Sequence, residues 1–203
     1  MNIGLFGGTF DPVHVGHLVL AERCRADANL DGVWFLPSYK PPHKLGVPIT
    51  RFEHRVEMIE LATAGQPLFR TEIVEKELPP PSYTANTLAE LRGRHPEYAF
   101  QLIVGADCLP DLPGWFQPKR ILEQAGLIVV PRPGVELWTR ERLAEALEIP
   151  AGSVRMTVVD CPRMEVASRD LRDRVAAGKS IRYLVPRSVE EYIREKKMYQ
   201  GTA

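Results

Sequence analysis

The sequence predicts an α/β fold: a single-domain, Rossmann-like open parallel sheet with helices on both faces, occupying residues 1–203. Three observations carry that expectation. Short, continuous apolar runs of strand length recur along the chain, as strands buried on both faces require. Helix-length amphipathic stretches separate them. The 18 prolines cluster at 37–48, 79–81, 110–118 and 131–133, where they punctuate the chain into loops. Strand and helix alternate, and right-handed crossovers then place ligand-binding loops at the carboxyl ends of the strands.

The first strand, Ile3-Gly4-Leu5-Phe6, runs through Gly7-Gly8 into a helix carrying Val15, Leu18 and Val19. Val33-Trp34-Phe35-Leu36 is the second strand. Between Arg51 and Ala64, Phe52, Val56 and Ile59 fall at i, i+4 and i+7 with Glu53, Arg55, Glu57 and Glu60 between them, a stripe facing a sheet. After Pro79-Pro80-Pro81 the chain turns through Ser82-Tyr83-Thr84 into a helix with Leu88 and Leu91. Further strands are expected at Phe100–Val104, Leu127–Val130 and Val154–Val159. Ser168 caps a helix, and Ser188 with Glu191 forms a capping box for a closing helix whose apolar face holds Val189 and Ile193. No repeat, low-complexity tract or linker divides the chain.

Composition narrows the function. The 26 basic and 26 acidic residues cancel, whereas a protein whose main partner is a polyanion needs an excess of Lys and Arg. Nucleic acid is therefore not expected as a partner. No apolar run reaches the ~18 residues of a membrane span, and Met1–Phe10 lacks a basic start and an apolar core, so no membrane and a cytoplasmic location are expected. Cys24, Cys108 and Cys161 are odd in number and far apart, which suits neither a disulfide framework nor a thiolate zinc site.

The chemistry concentrates in Gly7-Gly8-Thr9-Phe10-Asp11-Pro12-Val13-His14-Val15-Gly16-His17. Paired glycines after a buried strand let the backbone approach a ligand, and the next helix aims unpaired N–H groups at the same point. This is anion-binding geometry. It is neither a dinucleotide fingerprint, since Phe6 and Thr9 stand where glycines are required, nor a Walker loop, since Asp173 precedes Gly178-Lys179-Ser180 in place of the first glycine. His14 and His17 share a face of the first turn. Phosphate binding, a capping or core role and metal binding are all open to them, although no further metal ligands stand at a recognisable spacing. Arg172, four residues after Ser168, can reach phosphates at that helix start or form a surface ion pair. Lys44 sits in a proline-stiffened loop where it meets a triphosphate or solvent. Asp107 suits a helix cap, and Trp115 a core position.

The segment Gly7–His17 resembles the signature of the H-x-G-H nucleotidyltransferase superfamily. Pro37–Lys44, Ser82–Leu88, Val104-Gly105-Ala106-Asp107 with Trp115, and Gly178–Pro186 are similar in order and spacing to the bacterial nicotinate-nucleotide adenylyltransferases. One departure is Val166-Ala167-Ser168, where that family usually has Ile-Ser-Ser. The resemblance implies transfer of AMP from ATP to nicotinate mononucleotide, giving nicotinic acid adenine dinucleotide and pyrophosphate, with Mg²⁺ bridging phosphate oxygens. It implies a catalytic set of His14, His17, Lys44 and Arg172. It also implies an ATP site of Gly7, Gly8, Thr9, Phe10, His17, Gly105, Asp107, Ser168 and Arg172, with Asp107 on ribose hydroxyls. The nicotinate nucleotide would meet Ser82, Tyr83, Thr84 and Trp115, the last stacking on the pyridine ring with Phe116 turned into the core. The acceptor phosphate, with a second pKa of about 6, is already largely dianionic and needs no protein general base. Sister transferases using nicotinamide mononucleotide, phosphopantetheine or CTP, and a sensor that binds without turnover, are the alternatives. Homo-oligomerisation is left open.

Overall fold

The structure is a computed structural model that describes residues 1–42, 46 and 48–200. Six strands form one sheet: β1 (Asn2–Gly8), β2 (Gly32–Pro37), β3 (Phe69–Thr71), β4 (Ala99–Gly105), β5 (Ala125–Val130) and β6 (Met156–Val158). They lie in the order β3-β2-β1-β4-β5-β6, and every pairing is parallel. Side chains alternate across the sheet. Leu5, Leu36, Leu102 and Leu127 enter one core, which helices α3 (Thr84–Arg94), α4 (Pro118–Gln124) and α5 (Arg140–Ala146) cover with Leu88, Ile121 and Leu143. Phe6, Phe35, Ile103 and Ile128 enter the other, closed by α1 (Val15–Asp27), α2 (Phe52–Thr63), α6 (Ser168–Ala176) and α7 (Arg187–Glu195) through Cys24, Ile59, Leu171 and Val189. The expected parallel sheet with helices on both faces is present.

The strand order reverses between β1 and β4, whose carboxyl ends, Gly7-Gly8 and Gly105, open on one crevice. Such a switch point is where open α/β sheets bind ligands.

Four local expectations are corrected. The buried face of α2 is Phe52, Arg55, Met58 and Ile59, with Val56 only half-buried; Arg55, assigned to the solvent face, is 1% exposed. β6 is three residues long rather than six, and Val158 is exposed, because an edge strand has one neighbour to pair with. The cap of α7 is Pro186, and Ser188 lies inside the helix with its hydroxyl donating to the Leu61 carbonyl, so there is no capping box. Likewise Ala167, not Ser168, is the N-cap of α6. The short edge strand β3 and the seven-residue helices α4 and α5 carried too little periodicity to be named in advance.

Candidate active site

His14 is the N-cap of α1, extended at φ −145°, ψ 169°, and His17 stands at the third helical position. That offset lays one imidazole on the other, with centroids 3.6 Å apart and planes 20° from parallel. Gly16 makes the overlap possible, since a Cβ there would come within 3.1 Å of His14 Nδ1. The Phe10 ring, 5.0 Å from His17, backs the pair and is itself buried against Phe6 and Phe35. A Cβ on Gly8 would collide with that ring at 2.9 Å. Gly7 has open space before it. The two glycines therefore do different work: Gly8 admits a ring and Gly7 leaves room for a ligand.

Burial pushes His14 down to about 4, and burial, followed by the neighbouring His14 and Arg132 charges, holds His17 well below the usual imidazole range. Burial therefore favours the neutral form of both rings in the free protein. His17 Nδ1 accepts the His14 backbone N–H at 3.2 Å, which assigns the proton to Nε2. The pair thus offers N–H donors rather than fixed positive charge. Anionic phosphates beside it would raise both pKa values, so charge would develop where the ligand brings its own.

The loop between β1 and α1 is held by side chains from distant segments. Arg55 donates to the carbonyls of Thr9 (2.8 Å), Ser38 (2.8 Å) and Thr50 (2.9 Å). Ser168 Oγ donates to the Pro12 carbonyl at 2.8 Å, and Arg172 Nη1 to the Asp11 carbonyl at 2.7 Å. Ser168 and Arg172 are thus brought to the loop that carries the histidines. Arg172 uses one of its five N–H donors there. With Ala167 at the N-cap, α6 starts without a side-chain cap, whereas at the start of α1 His17 Nδ1 accepts the His14 N–H and the Leu184 carbonyl accepts the Val15 N–H.

On the other side of Gly7 and Gly8 a cavity of about 760 Å³ opens along the carboxyl ends of β1 and β4. Gly7, Gly8, Thr9, Ser82, Tyr83, Thr84, Gly105, Asp107 and Trp115 line it together with Glu75, Phe116 and Arg132. The structure therefore divides the expected site residues. These line the cavity, while Phe10, His14, His17, Ser168 and Arg172 are not among its lining residues and gather at the β1–α1 loop and the helix starts beside it. Lys44 lies outside the described residues. Trp115 is half-buried and packs against the core, whereas Phe116, expected inside, is 42% exposed and stacks on Tyr83 at 4.5 Å. The turn Leu112–Gly114 points its closing residue inward and so turns the next one out.

Asp107 pairs with Arg132 at 2.8 Å, both roughly half-exposed. A Cβ on Gly105 would strike both side chains, so the glycine is what lets the pair lie across the strand end. At Ser82 both backbone and side chain are engaged: N–H to the Lys40 carbonyl, Oγ from the Lys40 N–H at 3.1 Å, and a hydrogen bond to the Glu75 carboxylate. The Tyr83 N–H is turned onto the Pro81 carbonyl. Tyr83 is the N-cap of α3 and provides no side-chain cap. The donors that a helix start leaves unpaired are then those of Thr84 and Ala85.

Three contributors escaped the sequence reading. Arg55 could have been found from its spacing, i+3 from Phe52 and one turn before Ile59. Arg132, between Pro131 and Pro133, follows a strand end where ligand loops belong. Glu75 gave no signal, because Glu72-Ile73-Val74-Glu75-Lys76-Glu77 reads as a solvated loop. In the structure it is buried, its carboxyl raised by desolvation, and it accepts the Tyr39 N–H at 3.1 Å.

Residues 5–174 match the family described as Cytidylyltransferase-like. A "Probable nicotinate-nucleotide adenylyltransferase" of Thermomicrobium roseum is 43% identical over 199 residues, 98% of this chain and 92% of that protein. A "Nicotinate-nucleotide adenylyltransferase" of Bacillus subtilis is 39% identical over 200 residues, 98% and 99% of the two chains. Among solved structures, a Plasmodium falciparum nicotinic acid mononucleotide adenylyltransferase complexed with NaAD superposes with a TM-score of 0.76 at 18% identity, covering 98% of this chain and 97% of that one. At that identity the likeness concerns the fold alone.

Proposed function

Because this chain belongs to the bacterial nicotinate-nucleotide adenylyltransferase family, in the nucleotidyltransferase superfamily, we propose the following division of its site around an established reaction. The protein transfers AMP from ATP to nicotinate mononucleotide, giving nicotinic acid adenine dinucleotide and pyrophosphate in NAD biosynthesis. The observation that carries our reading is the β1–α1 loop, which holds a stacked histidine pair and borders a nucleotide-sized cavity.

The reaction brings two anions together and places negative charge on a leaving pyrophosphate, so in-line positioning and charge stabilisation are its main demands. The acceptor phosphate attacks the α-phosphorus, the bond to the bridging oxygen of the β-phosphate breaks, and pyrophosphate leaves with that electron pair. We assign the Nε2–H of His17, with His14, to the α-phosphate region and the free donors of Arg172 to the outer phosphates. Lys44 serves those same phosphates. The backbone at Gly7, Gly8 and Thr9 and the uncapped start of α6, including the Ser168 N–H, complete the phosphate cradle. Asp107, beside Gly105, exchanges its exposed ion pair for ribose hydroxyls, a small loss because such pairs contribute little. Phe10 serves ATP indirectly, as the wall behind His17.

The acceptor takes the half of the cavity bounded by Ser82, Tyr83, Thr84 and Trp115. Trp115 stacks on the pyridine ring. The first turn of α3, with Thr84 and Ala85 N–H groups and the positive end of its dipole, receives the nicotinate carboxylate. A carboxamide there sets an NH₂ donor against N–H donors. Among the described residues no group of three or more His, Cys, Asp or Glu side chains could hold a metal. Mg²⁺ supplied with ATP would offset charge on the leaving group. No described helix is long and apolar enough to cross a membrane.

The test is ATP and Mg²⁺ with a panel of nicotinate mononucleotide, nicotinamide mononucleotide, phosphopantetheine and, with CTP in place of ATP, the same acceptors. Pyrophosphate and a dinucleotide are expected with ATP and the nicotinate nucleotide. Binding without pyrophosphate release, or preference for another acceptor, would overturn the reading.

A further inference from the structure

The loop that presents the histidines carries a buried carboxylate that the transfer chemistry does not use. Asp11 is 5% exposed and lies between Phe10 and the His14 cap. Its Oδ2 accepts the Thr50 N–H at 3.1 Å, and its Oδ1 accepts the Tyr199 hydroxyl at 2.6 Å. Its own carbonyl is held by Arg172. Tyr199 comes from the far end of the chain, 188 residues away. After α7 ends at Glu195, Lys197 and Tyr199 both adopt left-handed backbone, at φ +52° and +58°. Non-glycine residues seldom adopt that conformation unless their surroundings hold them there. Here it folds the chain back, with Met198 N–H on the Ile193 carbonyl, and delivers the phenol to Asp11.

The tail itself is anchored. Ser188 of α7 bonds the Leu61 carbonyl, and Tyr192 meets His54 at 2.8 Å, so α7 lies along α2, the helix that also supplies Arg55. Tyr199 packs against the core that contains Phe10, Val13 and Phe35. Burial and the adjacent carboxylate push its hydroxyl up, so it stays a donor. The loop thus has three carbonyls held by α2 and α6 and one side chain held by the C-terminal segment. A hydrogen bond this short, from a phenol to a buried carboxyl oxygen, is among the stronger ones available to that segment.

We propose that Tyr199 is a positioning residue for adenylyl transfer: through Asp11 it fixes the β1–α1 loop so that the His14 and His17 rings meet the phosphates in register. Tyr199 touches no reacting atom in this account. The inference rests on the assignment of both histidines to the phosphates, and the two can fail separately.

The experiment is a double-mutant cycle in the full chain with Tyr199→Phe, Asp11→Asn and both together, following dinucleotide formation with ATP, Mg²⁺ and nicotinate mononucleotide. Phenylalanine keeps the ring packing and removes only the hydroxyl. Misplacing a reacting group by a fraction of an ångström costs about tenfold or more in rate. Tyr199→Phe is therefore expected to lower kcat about tenfold, with the nicotinate mononucleotide KM within about twofold and the melting temperature within a few degrees. In the Asp11→Asn background the same change should cost less than about twofold, because the carboxyl acceptor of the bond is already gone. Unchanged kcat in Tyr199→Phe overturns the proposal, even if Asp11→Asn cannot be purified folded. So does a loss confined to KM or melting temperature, or one of equal size in both backgrounds. His17→Ala serves as the separate control: if it keeps wild-type turnover, the histidine assignment fails and Tyr199 loses its role with it. A slow His17→Ala beside a normal Tyr199→Phe removes the present inference alone.

Discussion

The two sides of the β1–α1 loop are built on opposite plans. Behind it, Asp11, His14 and Arg55 are nearly inaccessible, and the carbonyls of Thr9, Asp11 and Pro12 are each held by a side chain. Before it, the cavity wall is made of a half-buried Trp115, an exposed Phe116 stacked on Tyr83, and an Asp107–Arg132 pair open to solvent. A step that depends on where charge develops needs donors that do not move, and burial supplies that rigidity. Recognition of a nucleoside needs surfaces that admit a ring and release a product, and exposed aromatics supply those. Changes behind the loop should therefore fall on kcat or on folding, and changes before it on KM.

The largest expected effect is in the histidines. If the two histidines donate to the phosphates as proposed, replacing His17 or His14 by Ala should lower kcat by about 10²–10³-fold, ~3 to 4 kcal/mol, with little change in nicotinate mononucleotide binding. Steady-state kinetics at saturating ATP check it, and near wild-type turnover would return that histidine to a purely packing role. Arg55→Lys comes next. An ammonium cannot span three carbonyls, and two left unpaired in a buried site cost about 2–4 kcal/mol, so the melting temperature should fall by roughly 5–15 °C. A wild-type melting curve would show that the three bonds do not hold the loop.

Before the loop the expected changes are smaller. Trp115→Ala should raise KM about tenfold for nicotinate and nicotinamide mononucleotide alike, since stacking favours any aromatic ring, and should leave kcat nearly intact. A fall in kcat with unchanged KM would erase the contrast between the two sides. The smallest effect is the pH dependence of stability. His14 titrates at about 4 when folded, below the 6.5 of an unfolded imidazole, so between those values the unfolded chain binds more protons. Stability should drop as pH falls from 6.5 toward 4, and His14→Gln should flatten that part of the melting-temperature profile.

The sheet was legible because continuous apolar runs leave a strand few alternatives, and the strand–loop–helix passage at Gly7–His17 because glycines, histidines and a helix start coincide within eleven residues. What escaped has a common physical origin. Asp11, Glu75 and Tyr199 are polar groups whose surroundings include partners far along the chain, such as Tyr39, 36 residues from Glu75, and Asp11, 188 residues from Tyr199. A local pattern assigns such residues to solvent. The same limit explains Ser168 and Ser188: both were read as caps from neighbouring residues, and both spend their hydroxyls on carbonyls from other segments. Trp115 and Phe116 were expected in one cavity and one core, and adjacent residues do point in opposite senses, but it is Trp115 that packs inward while its ring edge still lines the cavity.

The claim on which the site's orientation rests is that the first turn of α3 receives a carboxylate. The most direct measurement is kcat/KM of the purified protein for nicotinate mononucleotide against nicotinamide mononucleotide, at saturating ATP and Mg²⁺. Sites built on buried hydrogen bonds discriminate by up to about 10⁴-fold, and a ratio of at least about 10² is expected, persisting in Trp115→Ala. A ratio below about ten would contradict the account.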